Sequence, residues 1–182
     1  MPWIIVDFKR DEHIARIPRL TEIDVAGSIP KRRGLYVVRP TPTDIDAGVV
    51  TEFLFRVWDR ERTGLFIDEG YMLPPRDRGL RTVLTQGRSK RIPMISLSQR
   101  PAFISPWLLS ESEFITAFSL KHPADIERMQ DWMPPCDPST LEPHHCYWYT
   151  LHGDEFASFG PCPGPDEVME LFDARRVRRW FL

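Results

Sequence analysis

The chain has 182 residues and a mass of 21.3 kDa, with 42% hydrophobic residues and six Trp, which excludes disorder and suits one α/β domain with an ample core. No apolar run approaches the ~18 residues of a membrane span, Met1–Asp7 has neither the basic lead nor the apolar length of a signal peptide, and three Cys make no disulfide framework. The expected setting is soluble, reducing and cytoplasmic. The 24 Lys+Arg nearly cancel the 26 Asp+Glu, but unevenly: residues 76–100 hold six Arg and one Lys against Asp77, and residues 129–174 hold nine acids and no Lys or Arg. A basic block of that density suits the phosphates of a nucleotide or nucleic acid, and it is equally read as a solvated helix face.

In chain order, Trp3–Lys9 and Gly34–Pro40 read as short β-rich runs, the second closed by proline. Thr43 to about Arg62 reads as a helix, with Thr43 as cap, Asp46 completing a box, and apolar residues at 45, 49, 50, 53, 54, 57 and 58. Gly64–Asp68 is a buried-looking strand, about Arg78–Lys90 a basic helix, Ile92–Ser98 a strand, Phe114–Leu120 a strand, and Pro123–Trp132 a helix opened by proline. Cys146–Leu151 and Phe156–Phe159 form a hairpin through Gly153-Asp154, and about Asp166–Phe181 is a closing helix. Near-continuous apolar strands separated by helices predict an α/β fold, a mostly parallel sheet with helices on both faces and the hairpin as an antiparallel edge. A single domain is expected, with a core over about 1–135 and the hairpin and basic terminal helix over about 144–182. Ligands of such sheets bind beyond the carboxyl ends of the strands, which directs attention to the tips after Val6, Ile67 and Leu97.

Two tips carry chemistry. Leu65-Phe66-Ile67 runs into Asp68-Glu69; in an NTPase the first carboxylate holds Mg²⁺ and the second orients or deprotonates the attacking water. A strand followed by two acids is also a common turn. Ile95-Ser96-Leu97-Ser98 delivers Gln99 and Arg100 to a strand end, where a neutral amide can sense a γ-phosphate; the plain alternative is a turn opened by Arg100-Pro101.

The stretch Gly64–Met129 resembles the core of the FtsK/HerA-type DNA-pumping ATPases, which include chromosome translocases, conjugation ATPases and viral genome-packaging ATPases. The residues that carry the likeness are Leu65-Phe66-Ile67-Asp68-Glu69 as the Walker B strand, Gln86-Gly87-Arg88-Ser89-Lys90, Ser98-Gln99-Arg100-Pro101, Ile104-Ser105-Pro106 and His122–Arg128. Trp3–Lys9 is similar to the strand that follows the P-loop helix, where relatives often carry an Asp-Pro-Lys tip. The resemblance implies a P-loop NTPase, RecA-like core. It makes Asp68 the Mg²⁺ carboxylate, acting through water, Glu69 the water-activating one, Gln99 the sensor and Arg88 an arginine finger reaching a neighbouring subunit. Arg91 and Arg100 are alternatives for the finger, and Arg100 is also a candidate nucleotide contact. It further implies ATP as substrate, a homo-oligomeric ring such as a hexamer, double-stranded DNA bound without sequence preference, and the host cytoplasm if the source is viral.

The departure from that family is the P-loop. Gly-x-x-x-x-Gly-Lys-Ser/Thr is needed to wrap the phosphates, and these 182 residues contain no Gly-Lys pair. The expectation is therefore the back half of an ATP-dependent DNA-translocating or genome-packaging ATPase whose first βα unit lies upstream, inactive by itself. The alternative is a non-catalytic interaction protein on the same scaffold, partnering a complementary ATPase fragment. Weaker signals are Cys136, His144, His145, Cys146 and Cys162, whose spacing matches no familiar zinc finger, and the basic tail Arg175-Arg176-Val177-Arg178-Arg179, which suits DNA, a neighbouring subunit or packing on its own sheet.

Overall fold

The computed structural model describes residues 1–133 and 135–171. They fall into two compact units, one of residues 1–99 and 103–108, the other of residues 100–102 and 109 onward. The first unit is built on five strands, β1 (Pro2–Asp7), β2 (Leu20–Glu22), β3 (Gly34–Val38), β4 (Gly64–Asp68) and β5 (Met94–Ser96). Every pairing is parallel, in the order β2-β3-β1-β4-β5. Four helices connect them: α1 (Glu12–Ala15), α2 (Pro42–Asp46), α3 (Val49–Arg60) and α4 (Arg78–Gln86).

Register decides what is buried. Ile4 pairs with Tyr36 and Leu65, and Val6 with Val38 and Ile67, so these six side chains share one face. They form the core with Phe53, Leu54 and Val57 of α3 and Leu80 and Val83 of α4. Each such side chain contributes ~1.5–3 kcal/mol on burial. On the opposite face Ile5 and Val37 are buried, but Ile95 of β5 is 43% exposed. Among the described residues β5 is an edge strand, paired only with β4.

The single helix expected over 43–62 is two helices. Gly48, at φ 73°, breaks it, and α2 starts earlier than expected. Its cap is Thr41, not Thr43: Thr41 N–H donates to Asp44 Oδ2 at 2.7 Å and Asp44 N–H to Thr41 Oγ1 at 3.2 Å. This is a capping box upstream of the expected one. α1 and β2 are elements that the sequence pattern does not announce.

The second unit holds an antiparallel sheet, β6 (Phe114–Phe118), β7 (Cys146–Thr150) and β8 (Phe156–Phe159), in the order β6-β7-β8. The hairpin is real, but it does not extend the parallel sheet; it pairs with β6 in a sheet of its own. α5 (Pro106–Ser110) runs from the first unit into the second, which also contains α6 (Pro123–Gln130) and α7 (Pro165–Leu171). Residues 172–182, including the basic tail and the rest of the expected closing helix, lie outside the described residues. Among the described residues no helix is long and apolar enough to cross a membrane.

Candidate functional site

The carboxyl ends of β1, β4 and β5 bring together Asp7, Lys9, Asp68, Glu69 and Gln99. The sequence dictates this convergence: three apolar runs end in polar residues, and parallel pairing puts those ends side by side, with Asp7 opposite Asp68. Glu69 turns immediately after the strand on a left-handed backbone, φ 58° and ψ 60°. Such a conformation is uncommon outside glycine and clusters at functional sites. Gly70 makes the turn possible. Its N–H donates to Leu97 O at 2.7 Å, and it lies so close to β5 that a Cβ there would collide with Ser96 Oγ.

This turn buries the Glu69 carboxylate, 3% exposed, and engages both its oxygens. Oε1 is ion-paired with Lys9 Nζ, and Oε2 accepts from the Gln99 N–H at 3.1 Å. Lys9 Nζ also donates to Gln99 Oε1 at 3.3 Å. The hydrogen bond to Glu69 raises the Lys9 pKa above its ordinary value, against the opposing effect of burial. The Asp68 carboxyl is pushed up, first by burial and then by the charges of Glu69, Asp7 and Asp11. Asp7 is fully buried and structural in its contacts: it accepts from Asp11 N–H at 3.0 Å and pairs with Arg39 Nε at 3.0 Å, while Arg39 reaches Glu22 at 2.5 Å.

The other expected residues have different surroundings. Arg88 is exposed just beyond the C-terminus of α4, at the end of the unit where β5 begins, opposite to the end that carries Glu69. Arg100 belongs to the second unit, where its Nε donates to the buried Asp125 at 2.9 Å and the Ala102 N–H donates to the other Asp125 oxygen at 2.9 Å. Cys146 is buried beside Cys162, and no group of three His, Cys, Asp or Glu side chains is placed to hold a metal ion among the described residues. Sequence reasoning gives no role to Lys9 or Arg39. The signal for Lys9 is its place two residues beyond the β1 tip, as Asp7-Phe8-Lys9.

The fold matches that of solved viral proteins. Structures of the genome packaging NTPase B204 from Sulfolobus turreted icosahedral virus 2 superpose with a TM-score of 0.65 for the sulfate complex, at 15% identity over 88% of this chain and 82% of that one. The ATP-gammaS complex gives 0.60, at 14% identity over 88% of this chain and 97% of that one. The fold is thus that of the genome-packaging NTPases. In sequence, the DNA packaging ATPase P9 of Enterobacteria phage PRD1 is 34% identical over 187 aligned positions, covering 97% of this chain and 82% of that protein. No protein-family model matches. The chain belongs to the family of phage DNA packaging ATPases.

Proposed function

We propose that this chain supplies the hydrolytic strand tips of an ATPase that drives double-stranded DNA into a viral capsid, acting as a ring, such as a hexamer, in the host cytoplasm. The observation that carries the reading is Glu69: a buried carboxylate, held from two sides at the tip beside Asp68, in a chain 34% identical to a DNA packaging ATPase. In this role Glu69 takes a proton from the water that attacks the γ-phosphorus, as the bond to the β–γ bridging oxygen breaks. The Gln99 side-chain amide contacts the γ-phosphate. Lys9 occupies one acceptor site of Glu69 Oε1, and the water takes another.

Asp68 fits a Mg²⁺ ligand acting through water. Mg²⁺ takes one or two carboxylates and keeps its waters, and the crowding of Asp68 by three further carboxylates is relieved by a cation. Bound there, Mg²⁺ supplies neutralisation of charge on the β- and γ-oxygens. Arg88, at the far end of the unit, serves as a finger only toward a neighbouring subunit's nucleotide. The phosphate-wrapping loop comes from outside these 182 residues, since no Gly-Lys pair occurs in them. The open edge of β5, with Ile95 43% and Leu97 46% exposed, has room for the strand that would carry it.

The test is Glu69→Gln in the assembled packaging ATPase. Hydrolysis should fall by at least ~10²-fold, the scale of general base catalysis, while ATP remains bound. Turnover retained in that variant would refute the assignment.

A further inference from the structure

Three strand tips meet at one ammonium. Lys9, beyond β1, donates from Nζ to Glu69 Oε1 beyond β4 and, at 3.3 Å, to Gln99 Oε1 beyond β5. The Gln99 N–H donates to the second Glu69 oxygen at 3.1 Å. Lys9, Glu69 and Gln99 thus close a ring of hydrogen bonds. The Lys9 ammonium also lies 6.0 Å from the centre of the Tyr71 ring, in the turn that follows Glu69, within the range of a cation–π contact. The guanidinium beyond β3 is committed to other acids: Arg39 pairs with the buried Asp7 at 3.0 Å and with Glu22 at 2.5 Å.

The chemistry of this ring sets directions. An ammonium has donors and no acceptor, so the end of the Gln99 amide that faces it is the oxygen. The amide NH2 then points away from the ammonium. A γ-phosphate offers only acceptors, so the NH2 is the end that a sensor amide must present to it. Amide oxygen and nitrogen are nearly equal in shape, so packing alone does not hold one end in place. The charge of Lys9 does. The same ammonium and the Gln99 N–H each hold one Glu69 oxygen, so the carboxylate cannot turn without breaking a bond.

We propose that Lys9 is a positioning residue of the hydrolytic tips: it orients the Gln99 amide with its NH2 free for the γ-phosphate and fixes the plane of the Glu69 carboxylate for the attacking water. The inference rests on the roles proposed above for Glu69 and Gln99. Lys9 acts through these two side chains and takes no proton itself.

The experiment is steady-state ATP hydrolysis by the assembled packaging ATPase, at a temperature where urea curves show each variant folded. Lys9→Met should lower kcat by ~10- to 100-fold, the scale of a misplaced catalytic group, with a smaller change in KM. Lys9→Arg, again a cation with donors only, should recover most of the rate. Lys9→Gln, which can turn either a donor or an acceptor toward the amide, should not, and it carries the test if Lys9→Met fails to fold. In a Gln99→Ala background Lys9→Met should cost less than in the wild type, because one of the two groups it orients is gone. A side chain that only stabilised the fold would cost the same in both backgrounds. The inference is overturned if Lys9→Met or Lys9→Gln keeps the wild-type kcat, if the loss falls on KM alone, or if Lys9→Met costs the same with and without Gln99. Glu69→Gln, run in parallel, separates the two readings. Turnover retained in that variant removes the hydrolytic assignment itself, whereas turnover abolished there beside a normal rate in Lys9→Met removes the role of Lys9 and leaves Glu69 standing.

Discussion

Gly70→Ala tests how the β4 tip is built. The backbone at Gly70 hydrogen-bonds to Leu97 O, and the added Cβ would overlap Ser96 Oγ and sit 3.3 Å from Leu108 Cδ1. The backbone tolerates alanine, because Gly48 is the glycine with positive φ and Gly70 is not. The whole cost is therefore steric, in the range of ~1–3 kcal/mol for overpacking a buried position. Most of it comes from one atom, so it should be removable. In a Ser96→Ala background the Oγ is gone, and the cost of Gly70→Ala should drop by about 1 kcal/mol or more, a coupling typical of residues in direct contact. Urea midpoints of the wild type, the two single variants and the double variant close the cycle. If Gly70→Ala costs the same in both backgrounds, Ser96 does not limit the approach of the two tips. The mechanism for placing Glu69 against Gln99 would then need a different account.

Lys9→Met leaves the buried Glu69 carboxylate with one bond, from Gln99. Because Lys9 is 41% exposed, the destabilisation falls between that of a surface pair and a buried one, about 1–2 kcal/mol by urea unfolding. Adding Glu69→Gln should restore most of it, since no unpaired charge remains. The pKa of Lys9 is raised on folding, so its contribution is complete below the ordinary lysine range and fades as pH climbs through the raised value. The gap between wild type and Lys9→Met should close at high pH; a gap independent of pH would refute the pairing. Cys136 is a third case: burial, and then the charge of Asp137, push its thiol up to about 11. At pH 8.5 the folded protein then holds ~100-fold less thiolate than an unfolded chain, so iodoacetamide should label Cys136 on unfolding and only slowly before it. Rapid labelling of Cys136 in the native protein, read by peptide mass, would contradict its burial.

Much of the first unit is legible in the sequence because its signals are local. The α3 positions in the apolar spacing at 50, 53, 54 and 57 are the four that are buried, and the strand Gly64–Asp68 has the expected bounds. What is not legible depends on partners that the sequence does not display. β2 is three residues, Leu20–Glu22, and its identity as a strand comes from pairing with β3. β5 is shorter than the apolar run 92–98 because an edge strand is held from one side only. The expectation that β6 joins the main sheet fails for a different reason. Phe114-Ile115-Thr116-Ala117-Phe118 is apolar nearly throughout, as a doubly buried parallel strand would be. In the structure it alternates, with Ile115 and Ala117 buried and Phe114 and Phe118 about half exposed. Apolar residues on the exposed face hide the period of two that marks an antiparallel strand.

The candidate site divides along the same line. Asp68, Glu69 and Gln99 are readable because each follows directly on its strand. The contact that organises them is not readable, because Lys9 meets Glu69 across 60 positions of sequence. That contact also constrains chemistry. In the proposed role, each Glu69 oxygen already accepts one bond, from Lys9 or from the Gln99 N–H, and a carboxylate oxygen can accept a second, so a water taken by Glu69 would share its oxygen with one of these two donors. The phosphate end of a nucleotide would offer the Lys9 ammonium another acceptor. The Lys9–Glu69 pair thereby couples the tips of β1 and β4 to whatever anion the proposed reaction brings to them.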